Sequence, residues 1–181
     1  MTIICAISDP AANKVWLGCN SGSLIGDVIL PHHGTKWLRF TNWAVALSGA
    51  GVAHDILNLE RAKFPNQTTD INQVITFIRA SFAKNELGEA KEGSKFYDVS
   101  GLIAHSSGEL YGFDNRLALS RIPDDTMWAS GSGMEFALGA DAALKNKGFP
   151  AEERIEIAVL TAIDLDCGCP GEPMIESLGK G

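Results

Sequence analysis

Cysteine is scarce in this chain. Cys5, Cys19, Cys167 and Cys169 are too few and too unevenly spaced to brace a secreted fold with disulfides. Long apolar runs are also missing. No stretch approaches the roughly 18 residues that span a bilayer, and the N-terminus lacks a basic region leading into an apolar core and a small-residue cleavage site. The cytoplasm is therefore the expected compartment, and a membrane is not an expected partner. Positive charge is short too: 15 Lys and Arg against 22 Asp and Glu give a net charge of −7, with the basic residues scattered. A phosphate backbone rewards a basic face, so nucleic acid is not an expected partner either. Zinc-ligand spacings are absent and no His stands near a Cys in sequence. No metal or cofactor is expected. The Cys-x-Cys pair Cys167 and Cys169 could bind a metal or act as a redox pair, but reads better as thiols filling small spaces. His32, His33, His54 and His105 are assigned no role.

What the chain does contain suits one domain over residues 1–181. Its 181 residues are 45% hydrophobic and 20% charged, enough for a substantial core. Apolar runs at 2–7, 15–19 and 24–30 do not alternate strictly with polar residues, which predicts strands covered on both faces. Two more strands are expected at 36–40 and 43–47 around a turn at Thr41-Asn42, then a helix from about 52 to 63. In the next helix Asp70 caps, and Ile71, Val74, Ile75, Ile78 and Phe82 share a face. Residues 85–95 read as a surface loop, and 97–104 with 109–113 as a hairpin. Short strands follow near 117–122 and 126–129. Two further helices begin after Gly131-Ser132-Gly133, where Ser132 and Glu135 form a capping-box pattern, and at Pro150; a last strand covers 174–178. Strands and helix pairs in this order predict two packed sheets with helices outside, an α+β fold.

Thr2 opens the first apolar run. Removal of Met1 would place a hydroxyl nucleophile and a free α-amino group on one residue. The amine's reference pKa of about 7.7–8.0 lets it take the hydroxyl proton near neutral pH after a modest downward shift. Thr2 aside, other features stand in order: Lys36 within Thr35-Lys36-Trp37-Leu38-Arg39, the Ser48-Gly49-Ala50-Gly51-Val52-Ala53-His54-Asp55 segment before a helix, Ala129-Ser130-Gly131-Ser132-Gly133 before the next helix pair, and the tail Pro173-Met174-Ile175-Glu176-Ser177-Leu178. In this order they resemble the proteasome β-subunit and HslV peptidase family of N-terminal nucleophile (Ntn) hydrolases. The likeness covers nearly the whole chain and lies closest to HslV and the small bacterial proteasome homologues.

The resemblance implies a four-layer αββα sandwich and a threonine peptidase acting through an acyl-enzyme on Thr2. Lys36 matches the active-site lysine, Gly51 the oxyanion glycine, Ser132 a serine near the nucleophile and Asp166 the aspartate that positions it. Each has a plainer reading: a solvated strand lysine, a turn glycine, a helix cap and an acidic loop residue. Two positions depart from the family. Cys19 takes the place of the aspartate beside the lysine, leaving Lys36 without a carboxylate partner, and Cys169 takes the place of a Ser or Thr in the last active-site loop. The resemblance further implies a homo-oligomeric ring enclosing its active sites and a peptide or unfolded-protein substrate; an ATPase partner is not specified. Two alternatives stand beside the peptidase: a ring-forming subunit with little or no activity, and an amidase of small substrates. Trp37, Trp43 and Trp128 read as core residues before interface residues.

Overall fold

Both faces of the leading strand are buried, and that decides the layering. The computed structural model describes residues 2–25, 28–30, 35–49, 51–91 and 94–179; Met1, His32, His33 and Ala50 lie outside the described residues. In chain order the elements are β1 (Ile3–Asp9), β2 (Lys14–Asn20), β3 (Ser23–Ile25), β4 (Val28–Leu30), β5 (Trp37–Arg39), β6 (Trp43–Gly49), α1 (Gly51–Leu59) and a short 3-10 turn (Arg61–Lys63). Then come α2 (Ile71–Lys84), β7 (Glu89–Lys91), β8 (Ser94–Phe96), β9 (Val99–His105), β10 (Leu110–Phe113), β11 (Leu119–Arg121) and β12 (Met127–Gly131). The chain continues through α3 (Met134–Lys145), α4 (Ala151–Leu165) and β13 (Pro173–Gly179).

Two larger sheets form, with strand orders β12-β1-β2-β13 and β11-β10-β9-β6-β5. Side chains on a strand alternate between faces. On β1, Ile3, Cys5 and Ile7 join Ile155, Ala158, Val159 and Ala162 of α4. Ile4 and Ala6 point the other way and meet Ala44, Ala46, Leu102 and Ala104 from the five-stranded sheet. That second sheet sends Trp43, Val45 and Ile103 outward against Val74, Ile78 and Phe82 of α2. The result is a four-layer αββα sandwich, which explains why the early strands lack polar alternation. Trp37 and Trp43 are core residues, while Trp128 is half-buried and packs on the core between the sheets. A buried ion pair ties the outer helices together: Arg154 of α4 donates from Nε to Asp141 of α3 at 2.8 Å.

Three local expectations change. Strands β7 and β8 pair as a small ribbon, with Glu89 opposite Phe96, where a surface loop over 85–95 is expected from the sequence; a polar two-stranded ribbon has no apolar face for sequence periodicity to reveal. Ser132 is not the cap of α3. Gly133 occupies the N-cap position without a side-chain bond, because the Ser132 hydroxyl is engaged with Cys169. Pro150 is the N-cap of α4, one residue before its expected place.

Close packing of α4 on β2 supplies a test. A Cβ on Gly18 would lie 2.8 Å from Val159 Cγ2 and 3.0 Å from Ile155 Cγ1, both fully buried side chains. Gly18→Ala is expected to destabilise the fold by about 1–3 kcal/mol, read as a lower urea midpoint at unchanged slope.

Candidate active site

Thr2 is half-buried at the start of β1, and its surroundings are set by the β1–β2 ladder. Ile4 pairs with Cys19, so the next residue, Asn20, comes opposite Ile3 at the end of the ladder. The Asn20 side chain is fully buried and folds back over the strand ends. Its Oδ1 accepts from Ile3 N at 3.0 Å, Thr2 Oγ1 at 3.2 Å and Lys36 Nζ at 2.8 Å. Its Nδ2 donates to Gly22 O at 3.0 Å and Pro170 O at 2.8 Å. Five partners fix the amide's orientation. A flip would turn the NH₂ toward an ammonium and a backbone N–H, and the oxygen toward two carbonyls.

Lys36 stands just before β5, and among the described residues its ammonium has three acceptors: Thr2 Oγ1, Asn20 Oδ1 and Gly22 O at 2.8 Å. Its three hydrogens are thus all used. Every acceptor is neutral, so no carboxylate in this set offsets the cost of desolvating the cation. Burial accordingly lowers the Lys36 pKa to about 8. Cys19 and Cys169 lie close enough to oppose that shift when ionised. Burial, however, raises both thiols to about 11, so they are neutral where Lys36 titrates.

A second group forms where α4 ends. Asp166 is the C-cap of α4, and the turn that follows folds back on it. Asp166 Oδ1 accepts from Gly168 N at 2.8 Å, Cys169 N donates to Asp166 O at 2.8 Å, and Cys169 Sγ donates to Asp166 Oδ2 at 3.2 Å. Hydrogen bonds from the Ser132 hydroxyl first, then from Gly168 and Cys169, hold the Asp166 carboxyl below its ordinary range against the opposing effect of burial. This group abuts the start of β1. A Cβ on Gly133 would be 2.8 Å from Cys169 Sγ and 3.3 Å from Ile3 Cβ. One on Gly131 would be 2.0 Å from Thr2 O, so only glycine fits beside the threonine.

Similar architecture occurs in solved structures. Thiobacillus denitrificans BPH in complex with epoxomicin superposes with a TM-score of 0.81 at 16% identity, covering 100% of both chains. BPH alone gives 0.81 and 16%, covering 100% of this chain and 99% of the other. Eukaryotic HslV from Trypanosoma brucei gives 0.72 and 19%, covering 99% of this chain and 100% of its own. No family model and no curated protein matches the sequence. The chain has the proteasome/HslV-type Ntn hydrolase fold.

Within that fold, Thr2 and Lys36 are in direct contact, and Ser132, Asp166 and Cys169 form one hydrogen-bonded group beside them. Gly51 opens α1 at the end of β6, where its amide is among the first donors of the helix, and a Cβ there would meet open space. Cys19 is fully buried in the core between the sheets and close to Lys36, and the side chain that receives the lysine ammonium is Asn20, one residue on. The family resemblance points to position 19; the ladder register, with Ile4 opposite Cys19, brings position 20 to the lysine. Asn20 was legible only as the first polar residue after an apolar strand, next to a Ser-Gly turn.

If the lowered Lys36 pKa reflects burial among neutral acceptors, a carboxylate at position 20 must raise it. Competitive acetylation of Lys36 against pH is expected to show half-protection near pH 8 in the native chain. In Asn20→Asp the midpoint should rise by about 1–3 units. An unchanged midpoint would contradict this account.

Proposed function

We propose that the chain, folded as one domain over residues 1–181, is a threonine peptidase whose nucleophile is Thr2 once Met1 has been removed. The observation that carries this reading is the hydrogen bond from Lys36 Nζ to Thr2 Oγ1 at the buried head of β1. The α-amine takes the hydroxyl proton, directly or through one water, as Oγ1 bonds to the substrate carbonyl carbon. The Lys36 ammonium favours this step by stabilising charge on the oxygen. In this reading the Gly51 amide donates to the tetrahedral oxyanion. The C–N bond then breaks, with the proton passing from the amine to the leaving nitrogen, and water hydrolyses the Thr2 ester with the amine again as base. Ser132 and Asp166 hold the adjoining turn in place. The likeness to BPH and HslV supports a homo-oligomeric ring enclosing the sites; the substrates of this reading are peptides or unfolded chains, and its chemistry calls on no cofactor. Among the described residues no helix is long and apolar enough to cross a membrane.

The absence of a carboxylate from the Lys36 acceptors among the described residues favours one second reading, a ring-forming subunit without activity. Intact mass and labelling separate the two. The peptidase is expected to lose one methionine in its own cell and to take up one epoxomicin per chain at Thr2, the compound present in the Thiobacillus BPH complex. Quantitative retention of Met1 rules it out. Turnover of fluorogenic peptides in preference to small amides distinguishes it from an amidase.

The pH dependence follows from two groups. The α-amine must be neutral, so activity rises as it deprotonates, while Lys36 must be charged, so activity falls as pH passes its value of about 8. A narrow bell in kcat/KM with an alkaline limb near pH 8 is the expected result. Lys36→Arg should keep a residual rate but lose that limb, since guanidinium titrates above about 12. A native profile still climbing above about pH 9 would exclude the charged-lysine role.

A further inference from the structure

Two strand-to-helix elbows share the pattern Ser-Gly-x-Gly. One is Ser48-Gly49-Ala50-Gly51, where β6 of the five-stranded sheet ends before α1; the other is Ser130-Gly131-Ser132-Gly133, where β12 of the four-stranded sheet ends before α3. Gly49 and Gly131 both have a φ of 106°, in the left-handed region that favours glycine. Each makes a contact that a side chain would block: a Cβ would fall 2.3 Å from Asp98 O at Gly49 and 2.0 Å from Thr2 O at Gly131.

The serines that precede these glycines meet across the space between the sheets. Ser48 Oγ and Ser130 Oγ are 2.6 Å apart, and both residues are buried. Ser100, opposite Ser48 on β9, lies 2.7 Å from Ser130 Oγ and 3.1 Å from Ser48 Oγ. Three hydroxyls at these distances close a ring in which each donates once and accepts once, so the buried groups are satisfied without water. Neither sheet supplies this bond alone; it exists only when the two are in register.

We infer that the Ser48–Ser130 hydroxyl bond is a positioning tie that fixes the spacing between the nucleophile elbow and the amide elbow of the active site. This rests on the peptidase reading for its consequence in catalysis. Ser130 sets Gly131, which packs on Thr2 and faces Ile3 in the ladder. Ser48 precedes Gly49, the last residue of β6, and α1 begins at Gly51, whose amide is the proposed oxyanion donor. The nucleophile and its oxyanion donor thus belong to different sheets, and this bond joins the two elbows that carry them. The tie acts through these residues and touches no substrate.

The experiment uses the full-length protein and the variants Ser48→Ala, Ser130→Ala, the double variant and Ser100→Ala. Hydrogen exchange is followed in peptides covering 45–53 and 127–134, with steady-state turnover of a fluorogenic peptide. Either single variant is expected to raise exchange in both elbows, including the one it does not alter, and to lower kcat by about ten- to a hundredfold at nearly constant KM. The double variant should lose less than the sum of the two singles, because the Ser48–Ser130 bond that both remove is lost only once. Ser100→Ala, which keeps the Ser48 to Ser130 bond, should have the smallest effect in both measurements. Exchange confined to the altered elbow, or additive losses in the double variant, overturns the proposal. A native protein that neither turns over peptide nor takes up epoxomicin removes the peptidase reading, and the exchange data then decide the tie by themselves.

Discussion

The site depends on one side-chain amide. Asn20 draws three donors to one oxygen and two carbonyls to one nitrogen, and those five groups come from four separate segments: the head of β1, the turn after β2, the approach to β5 and the loop after α4. Each net hydrogen bond is worth about 0.5–1.5 kcal/mol, and one to a charged donor somewhat more. The larger consequence is geometric. Leaving a buried amide half-satisfied costs more than satisfying it returns, so the four segments are held to a single arrangement. The lysine reaches the threonine because the same oxygen holds both.

An asparagine in this position differs from a worn-down aspartate. A carboxylate would accept from Lys36 as well or better, but has no hydrogen for Gly22 O or Pro170 O. Both amide hydrogens are in use here. Their loss would set a carboxylate oxygen against two carbonyl oxygens, where the loops after β2 and α4 meet. The neutral partner also has an electrostatic consequence. With neutral acceptors alone around it among the described residues, the lysine is held by burial to a pKa of about 8. The polar group that secures the loops is thus the one that leaves the cation easily deprotonated. Loop closure and lysine chemistry are therefore linked at a single residue.

Much of the fold was legible in the sequence because its signals are local. Apolar runs without alternation announced strands buried on both faces, and the 3.6-residue stripe through Val74, Ile78 and Phe82 announced a helix on the core. The order of strands and helix pairs then left a layered sandwich as the natural solution. What escaped depends on registers and on contacts distant in sequence. Asn20 could not be singled out because its role comes from facing Ile3 across a ladder, and a shift of one residue exchanges Cys19 for Asn20. Ser132 looked like a cap because its spacing to Glu135 fits one; its hydroxyl instead meets Cys169, 37 residues away. The serine ring is invisible for the same reason, since Ser48 and Ser130 are 82 residues apart.

In the proposed peptidase, the two thiols beside the site bear on which group serves as the nucleophile. Free cysteine is ordinarily the better nucleophile, because a useful fraction is thiolate near neutral pH. Cys19 and Cys169 have lost that advantage. Both are fully buried and titrate near 11, which leaves a thiolate fraction of roughly 10⁻⁴ at pH 7. Cys169 also donates its hydrogen to Asp166, whose lowered pKa keeps a negative charge beside the sulfur and opposes ionisation further. Cys19 lies between the sheets, with Ala46 and Leu102 in the same cluster. Thr2, by contrast, is half-exposed and accepts a hydrogen bond from a cation. Around this site the charge that would stabilise an oxyanion is placed on the hydroxyl, and the charge that would suppress a thiolate is placed on the sulfur.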